Sequence, residues 1–196
     1  MMITQVMQPL PSSTEAETGL NPKRFVLWLM IIASIMLFAA FTSAYIVRRG
    51  EGNWRVFDLP TAFTINIFVA LASSLFMQLA YRSAKRDELE RVKLFTFLTL
   101  LAGIAFIAGQ WIGWGQLVDN QVFLTGNPSE SFLYVISATH FFHVLLGLGF
   151  VTAILIKSYQ FKVHRKNILS IGMCTTFWHF IGALWIYLYF FFLLNR

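Results

Sequence analysis

Long, uninterrupted apolar runs dominate the hydrophobic pattern of this chain. Five runs reach the roughly 20 residues that an α-helix needs to cross the hydrocarbon core of a bilayer. They cover residues 25–47, 61–81, 94–117, 132–156 and 170–194. Because the apolar residues are continuous rather than alternating with polar ones, the pattern favours helices over a β-barrel. It therefore predicts an all-α membrane protein, a bundle of five transmembrane helices joined by short loops.

The first 22 residues differ from the rest because they contain neither Lys nor Arg and hold three prolines. A secretory signal would instead begin with a basic region that leads into a short apolar core. We expect residues 1–22 to form a flexible polar tail, which ends where Lys23 and Arg24 meet the membrane surface. Residues 23–196 then form a single transmembrane domain.

The amino-acid composition supports a membrane location. Hydrophobic residues make up 57% of the chain and charged residues 12%, whereas a soluble domain carries roughly a quarter charged residues. The net charge of +6 is typical of loops that face anionic lipid and set the orientation of the spans. No basic stretch is interleaved with aromatic residues as base stacking requires, so nucleic acid is not an expected partner.

The distribution of positive charge predicts the orientation of the bundle. Eleven of the 15 Lys and Arg residues lie before the first span or in the second and fourth connections, which share one side of the membrane. Cytoplasmic loops carry the excess of Lys and Arg in membrane proteins. We therefore expect the N-terminus in the cytoplasm and the C-terminus outside.

Few side chains suited to catalysis occur in the spans. Cys174 is the only cysteine, which excludes a disulfide within the chain and a CxxC site, so we expect it to be a small buried side chain. Among the acidic residues, Asp119 and Glu130 are expected in the third loop and Asp58 in the first. Because no nucleophile–base pair, phosphate-binding loop or acid pair is present, the residues alone predict no catalytic site.

Three histidines, by contrast, lie inside predicted spans. His140 and His143 share one face of the fourth helix, and His179 lies at a similar depth in the fifth. A tetrahedral zinc site would need a fourth ligand, for which no intramembrane acid is present, and a two-haem cytochrome needs four histidines. A single haem held by His143 and His179 remains an alternative. The favoured interpretation is that each neutral imidazole makes a hydrogen bond across a helix contact.

Other polar and aromatic residues recur at helical spacing. The polar set on the second span is Asn66, Ser73, Ser74 and Gln78. The aromatic face of the fifth span is formed by Trp178, Gly182, Trp185 and Tyr189. In lipid such faces turn toward other helices, and buried indole N–H and phenol O–H groups bond to neighbouring polypeptide. We expect both sets to pack helices, and the small-xxx-small pair Gly109 and Gly113 to permit a close helix contact.

Two motifs stand out in the last two spans. H-x-x-H-V-x-x-G occupies residues 140–147, and W-H-F-x-x-x-x-W-x-x-L-Y occupies residues 178–189. Together with weaker similarities in the first three spans, they resemble subunit III of the haem–copper terminal oxidases, the cytochrome c oxidase subunit III family, in its short five-helix bacterial form. The resemblance covers about residues 25–194.

The resemblance implies a role in aerobic respiration. Subunit III carries no redox centre and its histidines are not metal ligands; haem and copper reside in partner subunits. It packs mainly on the catalytic subunit I, with subunit II among its other partners, binds phospholipid and supports sustained proton uptake by a proton-pumping cytochrome c oxidase. A quinol oxidase subunit III is an alternative, and a respiratory supercomplex is a further expected partner. The expected location is the bacterial inner membrane.

The resemblance also implies roles for individual residues in lipid binding. Lys157 stands where family members often carry an arginine that faces a lipid phosphate. Ser34 stands where many members carry a buried glutamate, and Gly172 replaces another acid, so a carboxylate-linked role in proton supply is not expected. We expect Lys157 and Ser34 to contribute to the lipid site. Long members have seven spans, so the lipid cleft is incomplete here unless another subunit supplies two helices.

A visible absorption spectrum of the purified chain distinguishes helix packing from haem ligation. If His143 and His179 only pack helices, the chain has no Soret band, and replacing His143 with Ala leaves the spectrum unchanged. A Soret band that disappears in the His143→Ala variant would contradict the helix-packing interpretation.

Overall fold

The computed structural model describes residues 22–160 and 168–195, and α-helices account for most of them. The helices are α1 (Pro22–Gly50), α2 (Thr61–Lys85), α3 (Leu89–Asp119), α4 (Pro128–Tyr159) and α5 (Leu169–Asn195). Each is long and apolar enough to cross a membrane. The predicted all-α architecture with five membrane-spanning helices is therefore confirmed for this part of the chain. The predicted N-terminal tail, up to position 21, and most of the fourth loop lie outside the described residues.

The helices are longer than the apolar runs that predicted them, chiefly where charged residues extend an end. α3 begins at Leu89 rather than at position 94, within the charged second loop. There Arg91 pairs with Glu88 and Lys93 pairs with Glu90, each at 2.8 Å and three residues apart. Ion pairs at this spacing support a helix in water, which explains why α3 includes charged residues that precede its apolar run.

Helices α2, α3, α4 and α5 form a four-helix ring in which each helix packs against the next and α5 closes on α2. α1 packs in the groove between α4 and α5, on the outside of this ring. The hydroxyl of Tyr45, near the end of α1, donates to the backbone carbonyl of Asn195 at the end of α5, so these helices run in the same direction. We refer to the end where α1, α3 and α5 begin as the basic end, and to the opposite end as the loop end.

Glycines allow α2 and α3 to approach closely. Gly109 lies against the side chain of Asn66, and Gly113 lies against the ring of Phe63, so that a Cβ atom at either glycine would overlap its neighbour. The closeness lets Asn66 donate a hydrogen bond of 3.2 Å from Nδ2 to the backbone carbonyl of Phe106 on α3. The small-xxx-small pair therefore lies in an interface between two helices of this chain.

Aromatic side chains fill the middle of the ring around Trp185 of α5. Its indole meets the rings of Phe63 and Phe106 edge-on, each at 5.3 Å between centroids. The imidazole of His140 lies against it at a tilt, with centroids 5.1 Å apart. All four side chains are buried, and each such ring pair contributes about 0.5–1.5 kcal/mol beyond the burial of its area. This aromatic layer joins all four helices of the ring.

Replacing Gly113 with Ala should push α2 and α3 apart, because the added methyl group meets the buried ring of Phe63. We expect the free energy of unfolding, measured by denaturant titration in detergent, to fall by about 1–3 kcal/mol, the usual range for overpacking. Gly115→Ala is the matched control, since a Cβ atom at Gly115 meets no atom within 4 Å. The control should not lower stability, because alanine favours a helix more than glycine does. Equal losses in both variants would contradict the packing role of Gly113.

Candidate functional site

The three histidines within the helices occupy different environments. His140 on α4 is buried, and its Nε2 atom lies 3.1 Å from the backbone carbonyl of Ile181 on α5. A carbonyl oxygen only accepts hydrogen bonds, so Nε2 carries the proton. Burial disfavours a charged ring, which leaves Nδ1 of the neutral imidazole as an acceptor. His140 therefore connects α4 to α5.

His143, less than one turn further along α4, faces α1 instead. Its Nδ1 atom donates to the backbone carbonyl of Thr139 at 2.8 Å, and its Nε2 atom lies 3.1 Å from the hydroxyl of Ser34 on α1. The Ser34 hydroxyl is also 2.8 Å from the carbonyl of Met30, so its single proton serves either the imidazole or that carbonyl. The ring of Phe38 packs edge-on against the imidazole of His143, with centroids 5.3 Å apart. His143 and Ser34 thus form a polar contact between α1 and α4.

His179 on α5 faces α2, where its Nε2 atom donates to Oε1 of Gln78 at 3.1 Å. His143 and His179 therefore turn toward different helices, α1 and α2. A shared haem would require both imidazoles to point into one space, and the structure does not bring them together. Within the described residues, no group of three or more His, Cys, Asp or Glu side chains is arranged to hold a metal ion.

The polar stripe of α2 faces both α3 and α5. Asn66 contacts α3 through the carbonyl bond described above. Ser73 accepts a hydrogen bond of 2.7 Å from the indole nitrogen of Trp178 on α5, and Ser74 lies beside Gly182 of α5. Gln78, the last residue of the stripe, accepts the hydrogen bond from His179 of α5. The stripe therefore contacts two helices of the same chain, α3 and α5.

The aromatic residues of α5 divide between the core and the boundary with α2. Trp178 and Trp185 are buried in the ring. Tyr189 is half-buried, and its hydroxyl lies 2.8 Å from the hydroxyl of Thr64 on α2. The indole N–H of Trp178 and the hydroxyl of Tyr189 therefore both form hydrogen bonds with α2, another helix of this chain.

A groove with a volume of about 280 Å³ opens toward the basic end between α1, α4 and α5. Apolar side chains of all three helices form its walls, including Val26, Phe150 and Met173. Lys23 of α1 and Lys157 of α4 also line it. The groove thus combines an apolar slot with two ammonium groups, which is the arrangement that suits an anionic amphiphile.

Ser34, the second residue expected to bind lipid, does not line this groove. The groove reaches along α1 as far as Met30, one turn earlier. Ser34 is buried in the interface with α4, where its hydroxyl contacts the carbonyl of Met30 and the ring of His143. A short hydroxyl side chain on a helix bonds readily to the carbonyl four residues earlier, so it stays within the interface. The structure therefore separates Lys157, in the groove, from Ser34.

The sequence interpretation missed a buried carboxylate at the loop end. Glu130, expected in the third loop, lies in the first turn of α4 and is 1% exposed. It pairs with Arg55 of the first loop at 2.8 Å and accepts hydrogen bonds from the backbone of Phe123 and Asn127. The residues Asn127-Pro128-x-Glu130 could have predicted that α4 begins here, because Asn127 and Glu130 form a capping box with Pro128 at the helix start. Glu130 thus ties both loops at this end to α4.

Comparisons with known proteins match most of the chain. The model of the family described as Cytochrome c oxidase subunit III matches residues 50–195. A probable cytochrome c oxidase subunit 3 from Nocardia farcinica is 26% identical over 198 aligned positions, covering 96% of this chain and 97% of that protein. The quinol oxidase subunit 3 of Bacillus subtilis is 27% identical over 186 positions, covering 91% and 89%. The cytochrome bo(3) ubiquinol oxidase subunit 3 of Buchnera aphidicola is 23% identical over 184 positions, covering 91% and 97%.

Proposed function

The chain belongs to the cytochrome c oxidase subunit III family, and we propose that it is the non-catalytic subunit III of a proton-pumping haem–copper cytochrome c oxidase in aerobic respiration. The family match over residues 50–195 carries this proposal. The engagement of His140, His143 and His179 with other helices of the chain supports a non-catalytic role. In this role haem and copper belong to partner subunits, while this chain stabilises subunit I and helps to sustain proton uptake.

A quinol oxidase subunit III is the second candidate. The Bacillus subtilis relative, named for a quinol oxidase, is 27% identical to the chain, and the Nocardia farcinica relative, named for a cytochrome c oxidase, is 26% identical. In both proposals, other subunits of the complex bind and oxidise the electron donor. The purified complex decides between them, because it should oxidise either reduced cytochrome c or a quinol.

We further propose that the basic end of the bundle faces the cytoplasm of a bacterial cell and that the bundle lies in the inner membrane. Lys23, Arg24 and Lys157 lie at this end, together with the basic residues at the end of α2 and the start of α3. An excess of Lys and Arg is typical of the cytoplasmic side. Residues 23–196 then form one transmembrane unit whose C-terminus lies outside, and residues 1–22 form a cytoplasmic tail.

Subunit I is the proposed main partner, and subunit II and a respiratory supercomplex are further proposed partners. The exposed side of α1 supports the presence of a neighbour beyond this chain. α1 packs mainly on α4 and α5, and large apolar side chains such as Trp28, Ile35 and Met36 are more than half exposed along it. We propose that lipid and helices of another oxidase subunit cover this side.

The groove at the basic end is the proposed phospholipid site. The ammonium groups of Lys157 and Lys23 would attract the phosphate, and an acyl chain would lie against apolar walls such as Phe150. A Lys near an anionic lipid surface contributes about 1 kcal/mol. This proposal keeps the predicted role of Lys157 and leaves Ser34 in the contact between α1 and α4.

Affinity purification of the tagged chain from its native membrane tests the proposed function. In mild detergent the chain should retain haem-containing subunits, detected by a reduced-minus-oxidised spectrum and by dioxygen consumption of the eluate. An oxidase assembled without the chain should keep its initial rate but lose activity sooner during turnover. An unrelated tagged protein from the same membrane controls for non-specific retention. Elution of the intact chain without haem would contradict the proposal.

Replacing Lys157 with Gln should reduce the phospholipid that remains bound to the purified complex, because the groove loses one of its two ammonium groups. A contribution of about 1 kcal/mol corresponds to roughly fivefold weaker binding. The measurement is lipid mass spectrometry, normalised to haem. Lys85→Gln is the matched control, since Lys85 lies at the same end but does not line the groove. Equal lipid content in the two variants and the unmodified protein would argue against this site.

A further inference from the structure

Five side chains of the ring helices hold buried polar atoms that have no hydrogen-bond partner among the described residues, and four of these atoms lie in or next to the aromatic layer. These four are Nδ1 of His140, Nε1 of Trp185, and both the nitrogen and the oxygen of the Gln110 amide. Gln110 is 0% exposed, and His140 and Trp185 are 1% exposed. Buried polar groups almost always have a partner, and the hydrocarbon around this ring offers none.

His140 and Trp185 lie next to each other in the aromatic layer. Their ring centroids are 5.1 Å apart, with an angle of 34° between the ring planes. The ring of Phe106 on α3 contacts both of them, at 5.8 Å from His140 and 5.3 Å from Trp185. The unpartnered nitrogens of α4 and α5 are therefore held in one layer, against the same residue of α3.

Gln110 belongs to this layer through its position on α3. It lies one helical turn after Phe106, on the same buried face of the helix. On its other side, Gly113 contacts the ring of Phe63, which itself packs against Trp185. Gln110 thus lies between Phe106, which contacts Trp185, and Gly113, which contacts Trp185 through the ring of Phe63.

The donors and acceptors of these three side chains complement a single water molecule. Because Nε2–H of His140 bonds to Ile181, its Nδ1 atom needs a donor, as does Oε1 of Gln110. The N–H groups of Trp185 and Gln110 need acceptors. A water molecule donates two hydrogen bonds and accepts two, and buried waters in proteins typically make two to four.

We propose that the ring binds an internal water molecule that bridges Gln110, His140 and Trp185. A metal cation fits this position less well, because the N–H groups of Trp185 and Gln110 are donors that cannot bind it. The one buried carboxylate of the described residues, Glu130, pairs with Arg55 at the loop end. An apolar guest would leave all four polar atoms unsatisfied. The bound water joins Gln110 of α3, His140 of α4 and Trp185 of α5 through polar atoms that have no other hydrogen-bond partner.

A density map of the purified protein in its native assembly, at a resolution that shows ordered water, tests the proposal directly. The expected result is a peak within hydrogen-bond distance of the Gln110 amide, Nδ1 of His140 and Nε1 of Trp185. In a Gln110→Leu variant the peak should be lost. A map in which Gln110 bonds directly to Trp185 or His140, with no peak between them, would overturn the proposal.

A thermal-unfolding cycle on the same assembly provides an independent test. Gln110→Leu and Trp185→Phe should each lower the apparent Tm, and the double variant should lose less than the sum, because both substitutions act through one water molecule. The control cycle combines Trp185→Phe with Gln78→Leu, since Gln78 bonds directly to His179. The losses in the control cycle should add. Additive losses in the Gln110 cycle would overturn the proposal.

Discussion

A polar side chain inside hydrocarbon finds no hydrogen-bond partner in the lipid, so its partner must lie within the bundle. This constraint determines how the helices of the chain are rotated against one another. The indole of Trp178 reaches Ser73, the imidazole of His140 reaches the backbone of α5, and Asn66 reaches the backbone of α3. Each bond requires its donor and acceptor to meet within a narrow range of distance and angle, whereas apolar burial is non-directional. The polar residues therefore specify the arrangement that the apolar surface stabilises.

The four-helix ring and α1 differ in how much of their surface packs against the rest of the chain. The ring closes on itself through the aromatic layer, and polar bonds such as that from Trp178 to Ser73 join its helices. α1 is attached by a few polar contacts, such as those between Ser34 and His143 and between Tyr45 and Asn195. Much of its apolar surface remains exposed. This difference agrees with our proposal that lipid and helices of another oxidase subunit cover the exposed side of α1.

The two ends of the bundle are also built differently. At the loop end, the buried Glu130 carboxylate binds Arg55 of the first loop and backbone amides of the third loop. These bonds hold both loops against α4. At the basic end, the groove between α1, α4 and α5 carries Lys23 and Lys157. A closed end and an open, positively charged end agree with lipid binding on the cytoplasmic side, as we propose for this family member.

The amino-acid sequence by itself determined the number and type of the helices, because the thickness of the bilayer and continuous apolar runs leave few alternatives. Its two histidine and tryptophan motifs also sufficed to indicate the family, which the match over residues 50–195 shows. It could not determine which neighbour each polar residue faces. His140 and His143 share a face by spacing, yet a difference of about 60° around the axis turns one toward α5 and the other toward α1.

Only the tertiary structure decided where the remaining groups lie. Ser34 and Lys157 were expected at one lipid site, but the side of α1 that holds Ser34 packs on α4 outside the groove. The burial of Glu130 depends on Arg55, which is 75 residues away in sequence. Periodicity along one helix reports which residues share a side, whereas the partner on that side is set by how distant helices pack. That packing depends on contacts between residues far apart in the chain, and no local pattern contains them.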